Sequence, residues 1–332
     1  MMTDSGILLS KDLKYAIKSY QAHLKKDWDL VLDNSINGTF LHRREFIEYH
    51  GDRFEDASLV IYHEDVPVAI FPAEREGNTV FSHRGLTYAG WLMLDGLRLK
   101  DIQEIIENTQ AFYQNLGIER LEVRMVPDFF AKESQKELKI AIQNTGGKSV
   151  FTAVHHCTSL PFRVKDRGKK WGRKKAIANG IEIRESSDLK SFWEEILVPN
   201  LEKRHGVKPT HSLQEIEYLK SIFPDQILFY AVFSGEKMLG GALVFSTDTT
   251  AHLQYTAALP LGKKLRCLDY LMSHLIEEEF SHKSFFNMGV SHFPVTGMIN
   301  QGLVNWKESF GGKPIIVSVY SFFTDLLNSE SL

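Results

Sequence analysis

One ordered string of secondary-structure signals occurs twice in this 332-residue chain, and the repetition constrains the fold more than any single motif does. Residues 59–73, LVIYHEDVPVAIFPA, read as two apolar strands around a polar turn at His63-Glu64-Asp65. A Gly-containing segment follows, SHRGLTYAGWLML, then a helical stretch from about Lys100 to Asn115 and a strand, LEVRMV, from Leu121. Residues 227–246, ILFYAVFSGEKMLGGALVFS, restart the order with strand, a turn at Ser234-Gly235-Glu236, and strand. AHLQYTAA then reads as a third strand, Leu268 to Phe280 as a helix, and SFFNMGV (284–290) as a further strand. The offset between the halves is 168 residues from Val60 to Leu228 and 164 from Leu121 to Phe285. A structural duplication is the economical explanation.

Each half combines antiparallel hairpins with a strand–helix–strand crossover. This implies an α/β chain of the α+β kind, with mixed, mostly antiparallel sheets and helices packed on their faces. The length also suits two domains better than one. The expected division is a first domain over 1–160, a basic helix or linker over 161–180 that joins the domains, and a second domain over 181–332.

Apolar residues make up 43% of the chain and charged residues 24%, as in a folded soluble protein. A net charge of −3 argues against a globally basic nucleic-acid binder, and no DNA partner is expected. The local exception is RVKDRGKKWGRKK, residues 163–175, where Arg163, Lys165, Arg167, Lys169, Lys170, Arg173, Lys174 and Lys175 face a single Asp166. From Lys169 the pattern turns helical, and Asn179-Gly180 supplies a C-terminal cap before the strand IEIRES. Charge alone leaves three readings of this run: a solvated interdomain segment, a site for phosphates of a nucleotide-linked or coenzyme ligand, or an RNA contact. No eighteen-residue apolar run and no basic-then-apolar leader are present, so the expectation is a cytoplasmic protein without an integral membrane segment. Cys157 and Cys267 lack C-x-x-C spacing and read as reduced core filler, with no disulfide and no metal site.

The phosphate-loop, H-E-x-x-H, G-x-S-x-G and G-x-G-x-x-G patterns are missing, which removes the enzyme classes built on them. Three other stretches carry candidate chemistry. NLEKRHGVKPTHSL (200–213) groups Arg204, His205 and His211 around Gly206 and Pro209; loop histidines are solvated, or they handle protons and hold an anionic substrate. SHRGLTYAG sets His83 and Arg84 before Gly85 and Tyr88 before Gly90, which is either close backbone approach to a ligand or an ordinary turn and bulge. GLVNWKESFGG (302–312) holds Lys307 in a stretch that otherwise reads as buried. One reading lays its stem on Trp306 and Phe310 with the ammonium in water. Another fixes the cation where an acyl transfer develops an oxyanion, and a third makes a lysine neutralised by burial into a base.

The succession LQYTAA, LDYLMSHLIEE, FFNMGVS and NQGLVNWKESFGG resembles the second domain of the Fem-type (FemAB-like) transferases, which are built from tandem acetyltransferase (GNAT) folds. Gly302-Leu303, Trp306-Lys307 and Phe310-Gly311 stand where that family has Gly-Leu, an aromatic-Lys pair and Phe-Gly, with Trp306 replacing the usual Phe. Asn287-Met288-Gly289 stands where the family has Asp-Phe-Gly, so a carboxylate is missing. RKKAIANGIEI (173–183) is similar to the family's basic helix at Arg173, Lys174 and Gly180. The resemblance covers residues 173–312, and the first half is similar by architecture only.

The resemblance implies transfer of an acyl group to an amine. Classical members move an amino acid from aminoacyl-tRNA to the peptide of a peptidoglycan precursor, while simpler relatives of the fold use acyl-coenzyme A. On this basis Lys307 stabilises the oxyanion and Tyr255, on the preceding strand, helps with proton transfer. Arg204, His205, His211 and Trp306 line the substrate, with His83, Arg84 and Tyr88 from the first half. Arg173, Lys174 and Lys175 take phosphates, as do Lys263 and Lys264 of LPLGKKLRCLDYL, a loop with one glycine, Gly262, where the acetyl-coenzyme A signature is Gly-rich. The expected protein is an acyltransferase acting on an amine of a cell-envelope glycan or peptidoglycan precursor. It would hold no tightly bound cofactor and use acyl-CoA or aminoacyl-tRNA as donor, with tRNA then a partner. Two alternatives stand beside it: an acyl-CoA-dependent N-acetyltransferase for a nucleotide-linked amino sugar or other small amine, and a non-catalytic module binding a nucleotide-sugar or RNA.

Overall fold

A computed structural model describes residues 14–292 and 297–323, apart from the side chains of Arg204 and His205. Two compact units divide the chain: residues up to Thr152 together with those from Val317 on, and Ala153–Ile316. The basic segment therefore lies inside the second unit, and the last strand returns to the first.

In the first unit β1 (Tyr15–Ser19), β2 (Leu59–His63), β3 (Val66–Phe71) and β4 (Leu92–Met93) form an antiparallel sheet in the order β1-β2-β3-β4. The β2–β3 turn sets Glu64 and Asp65 at φ 48° and 64°. Two left-handed residues in succession match the twist of paired strands, which is why a two-residue connection closes here. Helix α1 (Leu99–Asn115) buries Ile102, Ile105, Ile106, Thr109, Phe112 and Tyr113, one face of a 3.6-residue period. The following strand, β5 (Arg120–Arg124), runs parallel to Thr79–Phe81 and antiparallel to residues 319–323. Phe71, Trp91, Tyr113 and Phe322 meet in the core of this unit.

The second unit begins within β6 (Lys148–Ser159), followed by α2 (Arg167–Ala178), β7 (Ile181–Glu185), α3 (Val198–His205) and α4 (Leu213–Ile222). The repeated string then appears as β8 (Ile227–Ser234), β9 (Lys237–Ser246), β10 (Thr250–Ala258), α5 (Pro260–Lys264), α6 (Cys267–His274) and β11 (Phe285–Val290). Helix α7 (Gln301–Glu308) and strand β12 (Lys313–Phe323) close the chain's described part. Spatially the strands run β7-β8-β9-β10-β11-β6, antiparallel except for β10 and β11. Two irregularities shape this sheet. The parallel pairing joins only Thr250–His252 to Phe285–Asn287, so the two strands part beyond His252. The β9–β10 register also slips, with Leu253 opposite Val244 and Tyr255 opposite Leu243, which makes Gln254 the extra residue of a bulge.

The basic run folds as the sequence suggests but does not join the domains: α2 packs on α6 within one unit. Asp166 caps α2 by accepting from the Lys169 N–H, and Gly180 follows its end at φ 67°. Lys169 pairs with Asp269 at 3.1 Å, and Arg173 reaches Glu277 at 2.6 Å and Glu278 at 2.5 Å. Close approach of the helices depends on Gly172, where an added Cβ would lie 2.1 Å from Asp269 Oδ2. Gly172→Ala must displace that carboxylate, whose Oδ2 pairs with Arg266 and whose Oδ1 pairs with Lys169, and we expect it to lower the unfolding free energy by about 1–3 kcal/mol, measured as a lower urea midpoint at unchanged slope.

Candidate functional site

Helix α7 is fixed at both ends. Asn300 caps it by accepting from the Leu303 N–H at 3.1 Å, and Gly311, at φ 86°, turns the chain out so that the Gly312 N–H returns to the Lys307 carbonyl at 3.0 Å. This geometry turns Lys307 inward, to 2% exposure. Its Nζ donates to the carbonyls of Gly289, at 2.9 Å, and Val290, at 2.5 Å, where β11 ends. The ammonium therefore does not reach water over Trp306 and Phe310. A different lysine lies over that aromatic pair: Lys169 Nζ is 4.9 Å from the Phe310 ring and 5.9 Å from that of Trp306. Burial pushes the Lys307 pKa down to about 7, while two carbonyl acceptors and the C-terminal end of α7 favour the charged form.

Around this lysine the strands supply a buried polar cluster. Asn287 Nδ2 lies 3.0 Å from His252 Nδ1 and 3.3 Å from His155 Nδ1, and Asn287 Oδ1 accepts the Gly289 N–H at 2.9 Å. An amide group that donates to both Nδ1 atoms holds both imidazoles as neutral Nε2–H tautomers. Burial agrees, pushing His252 down to about 3. His156 Nδ1 meets Ser291 Oγ at 3.2 Å, and its pKa is lowered by burial and then by Lys307. Burial also pushes the Cys157 thiol up, so it stays protonated and does not serve as a nucleophile. Asn287 thus secures the backbone under Lys307 without the negative charge that an Asp would place there. The consecutive His155-His156-Cys157 in an otherwise ordinary strand was the available signal for this cluster, and only the fold brings it to Asn287 and His252.

On the other side of the parting strands, Tyr255 follows the bulge residue Gln254. Its hydroxyl lies 2.8 Å from His211 Nδ1 and 3.3 Å from the His211 backbone N–H, and the Trp193 ring meets its edge. Burial pushes the Tyr255 pKa up, so the group is a phenol able to donate its proton. His211 is 7% exposed just before the Ser212 cap of α4, so it is not a solvated loop histidine.

The remaining sequence candidates fall elsewhere. Arg204 and His205 end α3, with side chains outside the described residues. Trp306 packs edge-on against Phe310. Arg173 is held by Glu277 and Glu278, Lys175 lies over the exposed Trp171, and Lys174 is exposed. Lys263 donates to Asn200 Oδ1 at 2.7 Å, beside a cleft of about 110 Å³ along Thr256–Ala258, and Lys264 is exposed. Gly262 packs inward, its absent Cβ 2.7 Å from the Leu239 carbonyl, in a short helix rather than an open phosphate loop. In the first unit Tyr88 is a core residue bonded to Thr39, and Arg84 pairs with Glu74 at 2.6 Å and Glu76 at 2.8 Å. His83 is buried, its ring stacked on that of His50 with centroids 5.3 Å apart. Among the described residues no group of three or more His, Cys, Asp or Glu is arranged to hold a metal, and no helix is long and apolar enough to cross a membrane.

No protein-family model matches the sequence, and no curated protein matches it. Solved structures do match. FemX superposes with a TM-score of 0.65 at 10% identity, covering 92% of this chain and 97% of that one. The fold is FemAB-like, with two GNAT-type units in one chain. The C-terminal DUF2156 domain of a putative lysylphosphatidylglycerol synthetase from Agrobacterium fabrum gives 0.59 at 10% identity, covering 92% and 93%. A tandem GNAT protein from the clavulanic acid biosynthesis pathway gives 0.51 at 10% identity, covering 94% and 99%. In this FemAB-like fold, the parting of β10 from β11 sets Gln254 and Tyr255 on one strand and Asn287 to Val290, with Lys307 beneath, on the other.

Lys307 has a measurable stability signature. The folded protein releases its proton near pH 7 and the unfolded chain near 10.5, so between those values the unfolded state binds more protons and stability rises with pH. We expect wild type to gain on Lys307→Met by up to about 1.4 kcal/mol per pH unit in that window, in urea titrations at stepped pH. Parallel curves would mean that the lysine keeps an ordinary pKa.

Proposed function

We propose that this protein is an acyltransferase that moves an acyl or aminoacyl group onto an amine of a cell-envelope glycan or peptidoglycan precursor, with Lys307 stabilising the oxyanion. The observation that carries this reading is the Lys307 ammonium, buried where the second unit's sheet opens. Two of its three N–H groups go to Gly289 and Val290, and the third remains for a developing negative oxygen. In the reaction the amine nitrogen bonds to the acyl carbon and the bond from that carbon to the donor's sulfur or oxygen breaks. The amine sheds a proton and the leaving atom takes one up, and the Tyr255–His211 pair passes that proton at the hydroxyl. Neutral His155 and His252 hold Asn287, and through it the strand end on which Lys307 rests.

Of the two donors, aminoacyl-tRNA draws support from the likeness to FemX together with the lysines of α2 left exposed, Lys170 and Lys174. A second reading takes acyl-CoA as donor, favoured by the cleft beside Thr256–Ala258 with Lys263 at its rim. Thermal unfolding with coenzyme A, acetyl-CoA, UDP-linked amino sugars and bulk tRNA added separately tests both, because a ligand of the native state raises its apparent stability. A saturable shift with tRNA or a UDP-linked precursor supports the first, and a shift with the coenzymes alone moves the assignment to the second. Silence from all four removes the transferase reading.

Once the donor is known, Lys307→Met is expected to lower kcat by about 10²–10³ while leaving donor binding within a few-fold, in a single-turnover assay. The pH dependence decides the role. An oxyanion-stabilising ammonium predicts a rate that falls as pH rises past about 7, whereas a basic amine predicts a rate that rises there.

A further inference from the structure

Helix α2 carries more positive charge than its own unit neutralises. Arg167, Lys170, Trp171, Lys174, Ile177 and Ala178 are exposed, and their spacing of three or four residues places them on one face of the helix. Gly172 and Ala176 are buried on the opposite face, flanked by Lys169 and Arg173. The nearby acids are spent on that inner side: Asp269 on Lys169, and Glu277 and Glu278 on Arg173, while Asp166 caps the helix. Among the described residues no carboxylate pairs with Arg167, Lys170 or Lys174. The inner ion pairs and the close approach at Gly172 hold the helix in this orientation, so the outer cations stay turned to solvent.

Two apolar side chains share that outer face, one on each flank of the cations: Trp171, 57% exposed, and Ile177, 50% exposed. Bare cations attract any polyanion, so this apolar pair decides between partners. A nucleic acid would use Trp171 as a stacking platform. Lys175 Nζ already lies over that ring at 5.1 Å and the Arg266 guanidinium at 6.0 Å, so a base would have to displace them. Ile177 offers a nucleic acid nothing. At a bilayer surface every member of the face has a place: lysine and arginine meet anionic headgroups, while an indole and an aliphatic side chain lie at the boundary of headgroups and acyl chains.

We propose that the outer face of α2 docks the protein peripherally on a bilayer rich in anionic phospholipid, with Arg167, Lys170 and Lys174 on the headgroups and Trp171 and Ile177 at the acyl boundary. This surface does not depend on acyl transfer, so its test reads binding alone, and bulk tRNA, the competing polyanion, is one arm of it. Full-length protein is sedimented with vesicles of equimolar phosphatidylglycerol and phosphatidylcholine, or of phosphatidylcholine alone. Trp171 is a built-in probe, because Trp28, Trp91 and Trp193 are buried and Trp306 is partly buried. Saturable binding to the anionic vesicles alone is expected, weakened by salt, with a blue shift of indole emission and quenching by brominated acyl chains that are both lost in Trp171→Phe. Lys170→Gln/Lys174→Gln alters exposed side chains only; it is expected to weaken vesicle binding by at least about tenfold at an unchanged urea midpoint. The proposal is overturned by no binding to anionic vesicles, equal binding to phosphatidylcholine, indole emission that stays unshifted on binding, unchanged affinity in the double variant, or binding to tRNA in place of the vesicles.

Discussion

The contact between the Lys307 ammonium and the last carbonyls of β11 is the constraint on which the second unit's polar centre depends. A charge taken out of water needs partners, and here those partners are backbone oxygens at the point where two parallel strands have just separated. Meeting that need fixes the end of β11, requires α7 to deliver its lysine inward, and makes the Phe310-Gly311-Gly312 turn obligatory. Gly311 supplies the left-handed bend, and a Cβ on Gly312 would lie 2.9 Å from the Lys307 carbonyl. The three pieces of the C-terminal motif are thus one mechanical unit.

A neutral surround complements that charge. His155, His252 and Asn287 hydrogen-bond without carrying formal charge, and the Cys157 thiol stays protonated. The lysine is therefore poised by desolvation, at the edge of losing its proton near neutrality, rather than locked as a cation by a carboxylate. Asn287 in place of an Asp becomes intelligible in these terms: the amide keeps the hydrogen-bonding function and drops the charge.

Local periodicity carried much of the architecture. The duplicated string was legible because each hairpin, helix and strand announces itself within about 15 residues. The helix 167–178 with its Asn179-Gly180 end was legible for the same reason. What the sequence hid is non-local. The last strand pairs Val319 with Arg124, nearly two hundred residues away, and nothing in its own residues names that partner. The role of the basic run depended on Asp269, Glu277 and Glu278 lying along one face of a helix a hundred residues later. At the candidate site Lys307 was legible as an anomaly, but its partners were not, because carbonyls carry no sequence signature. The Tyr255–His211 pair joined two residues singled out separately, and the histidine cluster needed three strands to assemble.

The separation of β10 from β11 has one further consequence. A sheet ordinarily loses its strand pairing only at its rims, yet here β10 runs on past His252 without its parallel neighbour, while on β11 the Gly289 N–H and the carbonyls of Gly289 and Val290 are taken by Asn287 and Lys307. The lysine thus does for the end of β11 what a neighbouring strand does elsewhere in the sheet: it supplies donors to two successive carbonyls, and a single side chain stands in for a stretch of backbone.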